Sequence, residues 1–162
     1  MRFHCFGWCL FAALAGCAAP ELSAPTPSPT IQEFAARPVR QPWQIEFVQS
    51  GGIAGVMRSL SLFSAGQLEA WDRKVNKRVT AQLPEKEVAE IESLLAGAQS
   101  YRPTGRPPQC ADCFQYDLTA QWRGERFDIR LNDRNLPGSS VEPLFNALVK
   151  LQERALAGQL KP

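Results

Sequence analysis

The chain has 162 residues, with 18 Lys and Arg against 16 Asp and Glu and a single histidine at position 4. A formal charge so close to neutral excludes the electrostatic footprint of a nucleic-acid partner or of a strongly acidic surface. The length accommodates one domain of ordinary size together with an extended segment.

At the N-terminus, Arg2 precedes an apolar run from Phe3 to Leu14 that is too short to cross a bilayer as a permanent helix. The run closes on Leu14-Ala15-Gly16-Cys17, where small residues stand ahead of a cysteine. This segment resembles a bacterial lipoprotein signal peptide ending in a lipobox. The resemblance implies that residues 1–16 are removed and that the Cys17 thiol carries lipid. Two or more acyl chains anchor a protein stably where one holds it only marginally, so the mature chain is expected to sit on a membrane without crossing it. Ala18 follows the anchor in place of the aspartate that favours inner-membrane retention, so the expected home is the bacterial cell envelope, at the outer membrane.

Cleavage before Cys17 also removes His4, Cys5 and Cys9. Without imidazole the mature chain has no Ser–His or Cys–His nucleophilic pair, no histidine base and no His-ligated zinc. A non-enzyme without cofactor or metal is therefore expected. From Cys17 to residue 42 the composition is rich in Ala, Pro and Ser, including Pro25-Thr26-Pro27-Ser28-Pro29. Such a stretch buries too little to offset its ordering entropy and reads as a flexible tether. Residues 43–157 then read as a single globular domain and 158–162 as a C-terminal tail.

Within the domain, Trp43, Ile45 and Phe47 alternate with Gln44 and Glu46, the pattern of a half-buried strand. A Ser64-Ala65-Gly66 turn, with Gly66 as its left-handed residue, sets Leu62 opposite Leu68, Leu60 opposite Ala70 and Arg58 opposite Asp72. The alternation of Val75, Val79, Ala81 and Leu83 with Asn76, Arg78, Thr80 and Gln82 adds a further strand or a strand extension with a wet polar face. Pro84 suits the first turn of a helix that carries Val88, Ile91, Leu94, Leu95 and Ala98 on one stripe, with Glu85 and Glu87 at its N-terminus.

A second hairpin turns at Arg123-Gly124 and pairs Leu118 with Ile129, Ala120 with Phe127 and Tyr116 with Leu131. Its other face pairs Asp117 with Arg130 and Thr119 with Asp128, and a one-residue slip would bury those charges. Ser139-Ser140-Val141-Glu142 offers a capping box for a last helix with Val141, Leu144, Phe145, Leu148, Leu151 and Leu156 on its apolar face. The order β-β-β-α-β-β-α gives an α+β domain: an antiparallel sheet of about four to five strands with two helices on one face.

Two segments stand out as sites. Ser50-Gly51-Gly52-Ile53-Ala54-Gly55 lacks the Gly-Lys-Ser/Thr ending of a phosphate loop and opens a strand, which speaks against nucleotide binding. It reads either as a tight β connection needing positive φ or as a protruding loop that offers backbone and Ile53 to a partner. Cys110-Ala111-Asp112-Cys113 follows Pro107-Pro108 and leads into a strand, so the helix a thioredoxin-like motif needs is missing. The pair reads as a local disulfide.

The strand, the Ser50–Gly55 loop, the hairpin, the Pro84-started helix, the aromatic pair Phe114-x-Tyr116 and the closing strand and helix together resemble emfourin and its relatives. The resemblance covers most of Trp43 to Leu156. It implies inhibition of thermolysin-like zinc metalloproteases by occupation of the active-site cleft. On that reading Ser50 to Gly55 is the partner-binding loop and Ile53 its apolar anchor. The competing reading is a structural or assembly lipoprotein that uses the same domain to bind another envelope protein.

Overall fold

A computed structural model describes residues 42–102 and 109–161. The lipobox Leu14-Ala15-Gly16, the lipid cysteine Cys17 and nearly all of the tether expected over 17–42 lie outside the described residues. What is described is one α+β unit built from a single antiparallel sheet and two helices.

Six strands form the sheet, more than the four to five expected: β1 (Gln44–Gly51), β2 (Val56–Phe63), β3 (Gln67–Asp72), β4 (Lys77–Gln82), β5 (Phe114–Trp122) and β6 (Glu125–Asn132). Their spatial order is β4-β3-β2-β1-β5-β6, so β1 lies in the middle and pairs with β2 on one side and β5 on the other. The additional strand arises because the chain reverses between β3 and β4, with Asn76 at φ 49°. That reversal turns the Lys77–Gln82 segment into a separate strand paired with β3. Val75 falls in the turn, 68% exposed, and takes no part in the strand alternation.

Both hairpin registers take the form that the alternation requires. Leu62 faces Leu68, Leu60 faces Ala70 and Arg58 faces Asp72 across β2 and β3. In the second hairpin Leu118 faces Ile129, Ala120 faces Phe127 and Asp117 faces Arg130, with Arg123 and Gly124 both at positive φ in the turn. Each register sends one set of side chains to a common inner face. Ile45 and Phe47, Leu60 and Leu62, Leu68 and Ala70, Leu118 and Ala120, and Ile129 and Leu131 are all buried there.

The helices α1 (Glu85–Ala98) and α2 (Glu142–Leu156) cover that face. α1 buries Val88, Ile91, Leu95 and Ala98, while α2 buries Leu144, Phe145, Leu148 and Leu151. Arg154 of α2 reaches Glu87 of α1 at 2.8 Å and 3.2 Å through two guanidinium nitrogens, a forked pairing that ties the helices together. The capping box is not formed. Val141 occupies the cap position without a side-chain bond, and the Glu142 carboxylate accepts from the Gly138 N–H at 2.7 Å instead of reaching back to Ser139. Gly138 at φ 74° and Pro143 in the first turn set the chain's approach to the helix differently from the box geometry.

Among the described residues the opposite face of the sheet stays open and polar, with Glu46, Ser61, Thr119 and Asp128 along one row of facing residues. β4 is the edge beyond β3, and residues near the C-terminus lie against it. The Gln82 N–H donates to the Lys161 carbonyl at 3.1 Å, and Leu160 packs against the core. Such cover occupies part of an edge that would otherwise offer unpaired backbone groups.

Candidate functional site

Antiparallel pairing brings the β1–β2 loop, the β3–β4 turn, the start of β5 and the end of β6 to one rim of the sheet. Ser50 and Gly51 are the last residues of β1, facing Met57 and Val56 on β2 and Gln115 and Phe114 on β5. Gly52, Ile53, Ala54 and Gly55 form the turn itself, closed by a bond from the Gly55 N–H to the Gly52 carbonyl at 3.0 Å.

The glycine segment divides into a tight foot and an exposed tip. Gly51 at φ 93° and Gly52 at φ 68° form a base that only glycine fits. A Cβ on Gly51 would lie 2.6 Å from the Cys113 carbonyl oxygen, and one on Gly52 would lie 2.7 Å from the Phe114 ring. The Gly52 N–H uses that closeness to donate to the Cys113 carbonyl at 3.2 Å. Ile53 sits beyond this base, 91% exposed. The segment is thus a close-packed connection at its foot and a projecting apolar side chain at its tip.

The foot rests on a chain of polar bonds. Asp133, just past β6, accepts the Phe114 N–H at 2.7 Å with one carboxylate oxygen and the Tyr116 hydroxyl at 2.9 Å with the other. Burial pushes the Tyr116 phenol up in pKa, and the adjoining Asp133 carboxylate pushes it further, so the hydroxyl stays protonated and donating. Tyr116 also stacks on Phe47 with ring centroids 6.3 Å apart, and Phe145 of α2 meets both rings edge-on. The start of β5 is therefore fixed from the core outward, and with it the Cys113 carbonyl.

Cys110 and Cys113 are disulfide-bonded, with Cα atoms 5.5 Å apart. β5 begins at Phe114 directly after them, so no helix N-terminus is present to activate a thiol. The disulfide closes a small ring beside the foot of the loop.

A further part of this rim was not legible in the sequence. Asp72 accepts from Arg58 at 3.0 Å and from the backbone N–H groups of Lys74 at 3.1 Å and Val75 at 3.4 Å, which shapes the β3–β4 turn. The Lys74 ammonium donates to the Ala54 carbonyl, and the Arg73 N–H donates to the Met57 carbonyl at 2.9 Å. The two turns are therefore bonded to each other. Among the described residues the exposed large apolar side chains are Ile53, Met57, Val75 and Phe63, and the first three belong to this rim. The sequence signal was an isolated valine among polar and basic residues, which strand alternation absorbed.

No curated protein matches the chain. The sequence profile of emfourin matches residues 47–148, which runs from the middle of β1 through β6 and into α2 and includes the whole rim. The chain belongs to the emfourin family and is a protease-inhibitor-like binding domain.

Proposed function

We propose that this protein is a lipid-anchored, non-catalytic inhibitor of thermolysin-like zinc metalloproteases, with Ser50–Gly55 as the segment that enters the protease cleft and Ile53 as its apolar anchor. The observation that carries this reading is the exposure of Ile53, 91%, on a loop whose foot is held by Gly51, Gly52, Cys113 and Phe114. A large aliphatic side chain gains nothing from water there, whereas a cleft that desolvates it stabilises the complex by about 1.5–3 kcal/mol. Holding the foot in place lowers the ordering cost of binding. Family membership supports a protease as the partner.

The anchor is the second part of the reading. Cys17 carries the lipid, residues 17–42 hold the domain away from the membrane, and the outer membrane is the site of attachment. An inhibitor so placed acts on proteases that reach the cell envelope.

Titrating thermolysin and other thermolysin-like proteases with the purified full-length protein in detergent tests the reading. Stoichiometric loss of activity is expected, and Ile53→Asp should abolish it while leaving thermal unfolding within about 0.5 kcal/mol of the parent, as for an exposed site. A folded protein that inhibits none of the panel returns the function to binding another envelope protein.

A further inference from the structure

The Ile53 loop does not project alone. The β3–β4 turn, Arg73 to Asn76, reaches the same rim, and the Lys74 ammonium bonds across to the Ala54 carbonyl next to Ile53. Val75 at its tip is 68% exposed and Met57 between the turns is 45% exposed. Single exposed apolar residues are ordinary on a protein surface, but their gathering on one rim marks a contact region.

Charge distinguishes this turn from the rest of the molecule. Of residues 72–78, four are Lys or Arg and one is acidic, in a chain whose formal charge is only +2. The one acid, Asp72, is taken up by Arg58 and by the turn's own backbone. The guanidinium carbons of Arg73 and Arg78 lie 4.7 Å and 4.6 Å from the Trp71 ring centroid, which holds two cations on the open sheet face beside Met57. Arg78 pairs with Glu69 at 3.1 Å, whereas Arg73 has no carboxylate partner among the described residues. Of the cations on the β5–β6 hairpin, Arg126 and Arg130 pair with Asp128 and Asp117, while Arg123 lies 5.3 Å from the Trp122 ring centroid.

We infer that the Arg73–Asn76 turn is a second contact arm of the inhibitory rim, in which Val75 packs against the partner and Arg73 meets an acidic patch beside the protease cleft. The inference rests on the inhibitor reading and adds the chemistry that selects among proteases: an apolar cleft alone is not sufficient, and the rim beside it carries carboxylates. Apolar contact at Val75 slows dissociation, while the cationic turn speeds encounter and loses its effect as salt rises.

The test uses the full-length protein and any thermolysin-like protease that the parent inhibits. Val75→Asp and Arg73→Glu should each raise the inhibition constant roughly tenfold or more, as for residues well inside a contact. The Arg73→Glu effect should shrink as ionic strength rises. Lys86→Glu on α1, which makes the same charge change away from the rim, should leave the constant unchanged. Val75→Ser serves as a milder variant if Val75→Asp alters thermal unfolding. Loss of inhibition in Ile53→Asp but not in the Val75 or Arg73 variants overturns the second arm and leaves the inhibitor reading standing. An equal effect of Lys86→Glu and Arg73→Glu overturns the acidic rim, since net charge alone then explains the change. Failure of the parent to inhibit any protease of the panel overturns the inhibitor reading and the arm together.

Discussion

Gly51 and Gly55 carry the same residue type in one turn for different reasons. Both have positive φ, but the space for a side chain at Gly51 is filled by the Cys113 carbonyl oxygen at 2.6 Å, whereas at Gly55 there is nothing within 4 Å. A backbone oxygen held directly ahead of a paired strand cannot move aside as a flexible side chain can. Gly51→Ala should therefore cost about 1–3 kcal/mol in urea unfolding through the combined strain of φ and contact. Gly55→Asn should cost well under that, because asparagine tolerates the left-handed region. Equal losses at both sites would mean that φ alone sets the requirement. A residue of the opposite kind lies in α2: Gln152 is fully buried, and neither atom of its amide finds a partner among the described residues. Gln152→Met keeps the volume and removes the unpaired polar group. It should raise stability by about 1–3 kcal/mol in thermal or denaturant unfolding.

At the scale of elements, the two long hairpins were readable and the β3–β4 turn was not. Period-2 alternation fixes which side chains share a face, and Gly66 and Gly124 mark where the chain can reverse, so both long hairpins follow from local pattern. The β3–β4 reversal has no glycine to mark it. Its shape comes from the Asp72 side chain bonding to the turn's backbone and to Arg58, contacts that need the folded hairpin to exist. Burial acts to raise the pKa of Asp72, but bonds from Arg58, Val75 and Lys74 outweigh it and hold the carboxyl below its usual value. A carboxylate lowered in this way stabilises the turn above its unfolded pKa, about 4, and that contribution fades as pH falls through the folded value. Stability measured by denaturant unfolding should accordingly fall in the parent below about pH 4 more steeply than in Asp72→Asn, whose amide does not titrate. Parallel curves would show that Asp72 is not part of the acid transition. The capping box failed for a related reason: its four residues were correct in type, but Gly138 and Pro143 give the chain a different path into α2, and the carboxylate of Glu142 bonds to Gly138.

At the largest scale, among the described residues, one sheet face is covered by two helices and the other is left open. The inward set of apolar residues on all six strands gives this layering directly, since burying them needs a second layer and the two amphipathic helices supply it. The proposed anchor belongs to this scale as well, because attachment at Cys17 would decide which partners the domain can meet. Metabolic labelling with a fatty-acid analogue should mark the protein in a bacterial host and the mark should vanish in Cys17→Ser. Labelling that persists in the variant would remove Cys17 as the attachment point.

The sequence by itself determined the α+β class, the two helical stripes and both hairpin registers, because each rests on residues near one another along the chain whose periodicity is set by backbone geometry. It also singled out Ser50–Gly55 through the density of glycine. The tertiary structure decided the rest. Whether Ile53 is core or exposed depends on how the Cys113 carbonyl and the Phe114 ring press on Gly51 and Gly52 from about sixty residues away in the chain. The union of the Ile53 loop with the Lys74–Val75 turn depends on β2 and β3 lying side by side and on one ammonium reaching one carbonyl. Contacts of that separation are made only when the whole sheet assembles, which is why local pattern carries the frame of this protein and not the candidate rim.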